Sequence, residues 1–234
     1  MRYSGQIGLL GAEGQKKLED SFVTVVGCGG LGTFVSLFLV SAGVGRIRLV
    51  DGDVPSESNF NRQFFYPGTK GFKADILAKK LKEVNDSVTI EPICEYLDGK
   101  NGNRITEGSD IVADCLDSLE SRLILNKFAV NRNIPLSHGG VDGFLGQVTL
   151  VIPGKTPCLE CIFGNMNDVG EAPKSLSSSV SMIASVQATD IIKHITGIGE
   201  TLAGSLLTIS MDSNSYNKVG ISKNPECPVC LNIR

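Results

Sequence analysis

The stretch VTVVGCGGLGTFVSLFLVSAGVGRIRLVDGD, Val23–Asp53, decides the fold. A β-branched run from Val23 to Val26 enters Gly27-Cys28-Gly29-Gly30-Leu31-Gly32. An apolar, helix-like stretch follows, and a second strand, Arg46–Val50, ends at Asp51. Strand, glycine turn, helix and strand in this order make a βαβ unit. Gly27, Gly29 and Gly32 carry the spacing of a nucleotide-binding turn. Glycine lets the backbone approach phosphate, and the N–H groups of a helix starting near Gly30 face the anion. Asp51 stands 19 residues past Gly32, where a carboxylate can accept bonds from ribose hydroxyls; the plainer reading is a strand-end cap. Asp53 joins this set or only shapes the turn.

A glycine turn alone points to a dinucleotide. The next segment, Asn59-Phe60-Asn61-Arg62-Gln63 followed by Lys73, changes that reading. A dehydrogenase has no use for this cluster, whereas a triphosphate needs such donors. Arginine offers a planar fork to phosphate oxygens and lysine a compact charge. The bland alternative for Arg62 and Lys73 is a pair of solvated charges.

Further motifs carry a resemblance. They are Arg2-Tyr3-Ser4-x-Gln6, the glycine turn, Asp51-Gly52-Asp53, Ser58-Asn59-x-x-Arg62-Gln63, Gly71-x-Lys73, Asp114-Cys115-x-Asp117 and two Cys-x-x-Cys pairs. In this order the chain resembles the ThiF/MoeB/HesA family of ubiquitin-activating-type adenylyltransferases over essentially its whole length. The resemblance implies ATP and Mg²⁺, with Gly27, Gly29, Gly30, Gly32, Asp51, Asp53, Asn59 and Gln63 binding nucleotide. It implies Arg62 and Lys73 on the triphosphate and Asp117 on magnesium. The family spacing before the lysine is Gly-x-x-Lys, so Lys70 and Lys79 stand as alternatives to Lys73. Asp114 reads as a strand cap.

The chain departs from the family twice. The opening is usually Arg-Tyr-Ser-Arg-Gln, whose second arginine reaches the neighbouring subunit's triphosphate; Gly5 stands there, with Arg2 nearby. The crossover stretch 164–179, which carries a nucleophilic cysteine in some relatives, has none. Of the unpaired cysteines, Cys28 and Cys115 read as buried thiols, and Cys94 is the one candidate for a reactive thiol. The expected reaction is formation of acyl-AMP without a thioester on the enzyme. The acceptor protein then supplies the nucleophile. By resemblance the default substrate is the C-terminal glycine of a ubiquitin-like sulfur carrier. The alternative is a small-molecule carboxylate, such as guanylylpyridinol in Fe-hydrogenase cofactor maturation. A non-catalytic partner subunit is the rival from another class, and a homodimer is expected.

With 234 residues, 41% of them hydrophobic, the chain suits one domain. Residues 1–150 would form the nucleotide-binding half, and 151–234 the crossover loop, an antiparallel extension and a zinc-bound tail. A net charge of -3 argues against nucleic-acid binding. Short, interrupted apolar runs argue against a membrane span, and the polar start against a secretory signal. A cytoplasmic setting follows. There, Cys158-x-x-Cys161 and Cys227-x-x-Cys230, separated by 65 residues, read as one four-cysteine zinc site; the alternative is two unrelated redox pairs. His138 and His194 are set aside as catalysts.

The pattern predicts an α/β fold with a Rossmann-like nucleotide-binding sheet, helices on both faces, a parallel first half and an antiparallel C-terminal extension. Strands are expected over Val23–Val26, Arg46–Val50, Val88–Cys94, Ile111–Asp114, Pro135–Ser137, Gln147–Ile152, Ser205–Ser210 and Lys218–Ile221. Helices are expected over Gly8–Asp20, Leu31–Ala42, Phe72–Val84, Leu119–Asn131 and Val180–Thr196.

Overall fold

The computed structural model describes residues 2–166 and 174–231. Helix α1 (Ser4–Asp20) bends at Gly11, which has φ of 70°. Strand β1 (Phe22–Val26) is buried at every residue, as a central strand covered on both faces must be. Helix α2 (Gly30–Ala42) ends at Gly43, whose left-handed φ of 88° lets its N–H bond back to Leu39 O. Strand β2 (Arg46–Val50), helix α3 (Lys73–Val84) and strand β3 (Thr89–Ile93) follow. Pro92 sits in β3, an edge strand, where its missing N–H costs no ladder bond on the outer side.

Next come α4 (Gly102–Thr106), β4 (Ile111–Asp114), α5 (Leu119–Asn131), β5 (Leu136–Asp142), β6 (Leu145–Val151), α6 (Leu159–Phe163), α7 (Ser177–Thr196), β7 (Ser205–Ser210) and β8 (Ser215–Gly220). One eight-stranded sheet has the order β3-β2-β1-β4-β5-β6-β7-β8. Pairings from β3 to β5 are parallel and those from β5 to β8 antiparallel, as expected. One buried cluster gathers Val23, Val25, Leu39, Leu77 and Ile191 from β1, α2, α3 and α7. A second gathers Val112, Leu125, Leu136, Leu159 and the buried cysteines 158, 227 and 230 on the opposite face.

Several expectations on boundaries need correction. The short helices α4 and α6, five residues each, are too brief to show a helical period. Strand β5 runs to Asp142 rather than stopping at Ser137. Gly139-Gly140, beyond the expected strand end, lies mid-strand. The glycine there serves packing: a Cβ on Gly139 would stand 2.3 Å from Gln187 Oε1 on α7. Strand β8 starts at Ser215, earlier than its polar sequence suggests, because pairing with β7 and not burial defines it. Helix α1 starts at Ser4 rather than Gly8.

β1 lies between β2 and β4, and the connections from β1 and from β4 leave in opposite directions. Open α/β sheets bind ligands in the crevice outside the carboxyl ends of strands at such a switch point. The glycine turn follows β1, and Asp117 follows β4.

Candidate active site

A cavity of about 1130 Å³ opens at this switch point. Its wall begins with the glycine turn. Gly27 has φ of 94°, and a Cβ there would stand 2.5 Å from the Cys115 carbonyl oxygen. A Cβ on Gly32 would stand 1.8 Å from Gly27 O. Gly29 and Gly30 face the cavity directly. Gly27 N donates to Val50 O at 2.8 Å, so the turn is tied to β2.

Asp51, at the end of β2, accepts from Cys28 N at 2.7 Å and from Asp53 N at 2.7 Å. It therefore shapes the turn while also lining the cavity. Burial raises its pKa, and these two backbone N–H groups oppose the rise. Asp53 accepts from Lys73 Nζ at 2.9 Å and from the Tyr96 hydroxyl at 2.5 Å. Burial works to raise its pKa, yet Tyr96 and Lys73 draw it below the usual carboxylate range.

Lys73 opens α3 and is only 5% exposed, with Asp53 as its ion-pair partner on the cavity wall. Neither Lys70 nor Lys79 lines the cavity among the described residues. Asn59 ends a single helical turn, Glu57–Asn59, and lines the cavity with Arg62 and Gln63. Arg62 Nη1 donates to Ser58 O at 3.2 Å and to Asn61 Oδ1 at 2.8 Å. Gln63 is 4% exposed, and its Oε1 has no hydrogen-bond partner among the described residues. It is an acceptor that a ligand hydroxyl can satisfy.

Asp117 follows β4 and is exposed on the cavity wall. Asp114 caps the strand end, accepting from Leu116 N at 3.0 Å, and has a second role besides. It is fully buried and bonds Arg122 Nη1 at 3.0 Å and His138 Nδ1 at 2.7 Å. Burial pushes its pKa up, but the Arg122 charge and the His138 bond outweigh this and hold it below the usual range. Burial keeps His138 below its ordinary pKa, with Asp114 opposing and Arg122 reinforcing the drop. Sequence reasoning missed Arg122, Tyr96 and Gln147, all cavity-lining. The one available signal was Arg122 standing directly before the apolar run Leu123–Leu125 of α5.

All seven cysteines are free thiols. Cys28 and Cys115 are buried, as expected, and their burial pushes both thiols well up. Cys94 is half-buried; desolvation and then Asp75 raise its pKa, which opposes thiolate formation. The cysteine-free stretch 164–179 lies partly outside the described residues. Gly5 is exposed on α1, and Arg2 Nη1 donates to Val84 O at 2.7 Å in its own chain.

Away from the cavity, Cys158 and Cys161 at α6 meet Cys227 and Cys230 of the C-terminal segment. Sγ separations are 3.7 Å for Cys158–Cys227 and 3.4 Å for Cys161–Cys230, and all four sulfurs lie within 4.8 Å of one another. A tetrahedral zinc with bonds of about 2.3 Å requires sulfurs about 3.8 Å apart. The cluster can hold a metal.

Residues 3–229 match the ThiF family. The chain belongs to that family. The SAMP-activating enzyme E1 of Haloferax volcanii is 35% identical over 240 residues, covering 98% of this chain and 88% of its own. The sulfur carrier protein adenylyltransferase of Thermus thermophilus is 35% identical over 244 residues, covering 98% and 90%. E. coli MccB solved with ATP has a TM-score of 0.89 at 26% identity, over 99% of this chain and 75% of that one. This ThiF-family chain is an adenylyltransferase. No helix among the described residues is long and apolar enough to cross a membrane.

Proposed function

We propose that the chain activates a carboxylate by adenylylation. A carboxylate oxygen attacks the α-phosphorus of ATP, the bond from that phosphorus to the bridging oxygen breaks, and acyl-AMP and pyrophosphate form. One observation carries this reading: the glycine turn, Arg62, Gln63, Lys73 and Asp117 converge on one cavity at the switch point. Two anions must meet in the reaction, so charge neutralisation and positioning are the main work of the site. Arg62 and Lys73 take the triphosphate oxygens, Lys73 exchanging Asp53 for phosphate. Gly27, Gly29, Gly30 and Gly32 admit the phosphates, and Asp51, Asn59 and Gln63 address the nucleoside. Asp117 holds Mg²⁺, which adds charge neutralisation at the phosphates and takes one or two carboxylates in such sites. Cys158, Cys161, Cys227 and Cys230 hold a structural zinc.

The substrate we favour is the C-terminal glycine of a ubiquitin-like sulfur carrier. The names of the Haloferax and Thermus relatives support it. So does the cavity, which extends past the nucleotide residues onto Gln147, Thr208 and Asn217 of the antiparallel strands. A small-molecule carboxylate is the second reading, kept because the chain is similar in fold to MccB, solved with MccA. The retention of Arg62, Lys73 and Asp117 on one wall speaks against a non-catalytic subunit. We read residues 1–234 as one adenylation domain working as a homodimer and passing its acyl-AMP to a nucleophile on another protein.

The test is carboxylate-dependent exchange of labelled pyrophosphate into ATP, with a Gly-Gly-ending carrier and with short peptides. Exchange is expected with the carrier and is abolished in Asp117→Ala. Exchange with no carboxylate, or tight NAD binding in place of ATP, would refute the reading.

A further inference from the structure

The cavity floor holds a charged cluster that the reaction above does not use. Arg122, on α5, reaches across two strand ends. Its Nη1 lies 3.0 Å from Asp114 Oδ2, 2.9 Å from His138 Nδ1 and 2.7 Å from Gly139 O, and its Nη2 donates to Leu116 O. Asp114 and Leu116 belong to the carboxyl end of β4, and His138 and Gly139 to β5. The donors of a guanidinium point in fixed, coplanar directions, so acceptors on two strands lock its orientation and are locked by it. His138 supports the far side: its Nδ1–H faces Asp114, and Gln147 Nε2 donates to its Nε2 at 3.2 Å.

One of these acceptors matters for catalysis. Leu116 O belongs to the peptide unit that ends in Asp117 N. A peptide unit is planar, so holding that oxygen sets the plane from which the Asp117 Cα departs. The preceding unit is pinned as well, because Leu116 N donates to Asp114 Oδ1 at 3.0 Å. Both peptide planes flanking Leu116 are thus tied to one buried ion pair. On its other side the segment abuts the glycine turn, since the Cys115 carbonyl faces the bare Cα of Gly27.

We propose that Arg122 is the positioning residue for Asp117: it clamps the Leu116–Asp117 peptide so that the Asp117 carboxylate stands at a fixed place beside the glycine turn. Asp114 and His138 act as its counter-supports. This rests on Asp117 being the magnesium ligand, and the experiment separates the two claims.

ATP binding is measured by calorimetry across a Mg²⁺ series, which needs no carboxylate substrate. Asp117→Asn is expected to raise the Mg²⁺ needed for half-maximal tightening of ATP binding. Groups that orient a metal ligand typically alter metal affinity by about 10–100-fold. Arg122→Gln should therefore raise the requirement about 10-fold, and Arg122→Lys by less, while ATP affinity without Mg²⁺ stays within about twofold of the original. The Asp117→Asn/Arg122→Gln double variant should be no worse than Asp117→Asn alone, because both changes act through one contact. Should Arg122→Gln fail to fold around an unpaired Asp114, the Asp114→Asn/Arg122→Gln variant removes both charges and should show the same magnesium defect. Unchanged magnesium dependence in the Arg122 variants, or losses that add to that of Asp117→Asn, would overturn the clamp. Unchanged dependence in Asp117→Asn itself would overturn the magnesium role and the clamp with it.

Discussion

Replacing Gly32 by alanine tests whether the glycine turn is built by close backbone approach. The added Cβ would lie 1.8 Å from Gly27 O, where real contacts do not fall below 3.0 Å. The turn and α2 must then separate by the difference, about 1.2 Å. That shift cannot be absorbed by a side chain, because the obstructing atom is backbone. It is also opposed by Gly27 N bonded to Val50 O at 2.8 Å and Cys28 N bonded to Asp51 at 2.7 Å. Overpacking of this kind costs about 1–3 kcal/mol. In a chain of this size each kcal/mol lowers Tm by about 2–4 °C, so a drop of about 2–12 °C is expected. Function should suffer more, since a misplacement of about 1 Å can cost about 10²-fold in rate. Gly8→Ala, on α1 and away from the cavity, is the control: a Cβ there meets nothing within 4 Å. Thermal melts and pyrophosphate exchange would be compared for the two variants. Near-normal exchange in Gly32→Ala, or equal losses in both, would refute the reasoning.

Three further outcomes are expected. Freshly purified protein should carry about one zinc per chain; Cys227→Ser or a chelator should remove it, and hydrogen exchange should rise in residues 221–231 before the nucleotide strands. Zinc-free fresh protein would contradict this. Stability should fall with acid in two stages. His138 is held below its ordinary 6.5, so as pH drops through about 6.5 the unfolded chain binds a proton that the folded chain refuses. Stability is therefore whole above that pH and declines below it, by at most about 1.4 kcal/mol per pH unit for one proton. Asp114, held below its ordinary 3.8, adds a further loss as pH falls through about 4. Urea midpoints from pH 8 to pH 5 that do not fall, or that fall equally in His138→Gln, would count against it. Lastly, intact-mass analysis during turnover should find no thiol-sensitive adduct, and Cys94→Ser should leave exchange unchanged. An adduct lost in that variant would show that the enzyme carries its own thioester.

Much of this protein is determined locally. The glycine turn, the strand-end Asp51 and the alternation of β-branched and apolar helical runs each record a constraint acting within a few residues. Backbone approach and period leave marks in residue type, so β1, α2, β2 and α5 are legible without a structure. The paired Cys-x-x-Cys motifs are legible for the same reason, and reading them as one site across 65 residues brings the C-terminal segment to α6, where the four sulfurs lie within 4.8 Å of one another. Only the tertiary structure decides what depends on distant partners. Gly139-Gly140 lies past the expected strand end and is mid-strand, because β6 pairs with it residue by residue. Asp114 looks like a cap alone and is a buried counter-ion as well, because Arg122 and His138 arrive from a helix and a neighbouring strand. Lys73 and Asp53 look like separate charges and are one pair, because α3 begins where the β2 loop returns. Each is a contact between groups whose spacing in the chain carries no period. Electrostatic pairing of this kind acts through space, and the fold alone sets who meets whom.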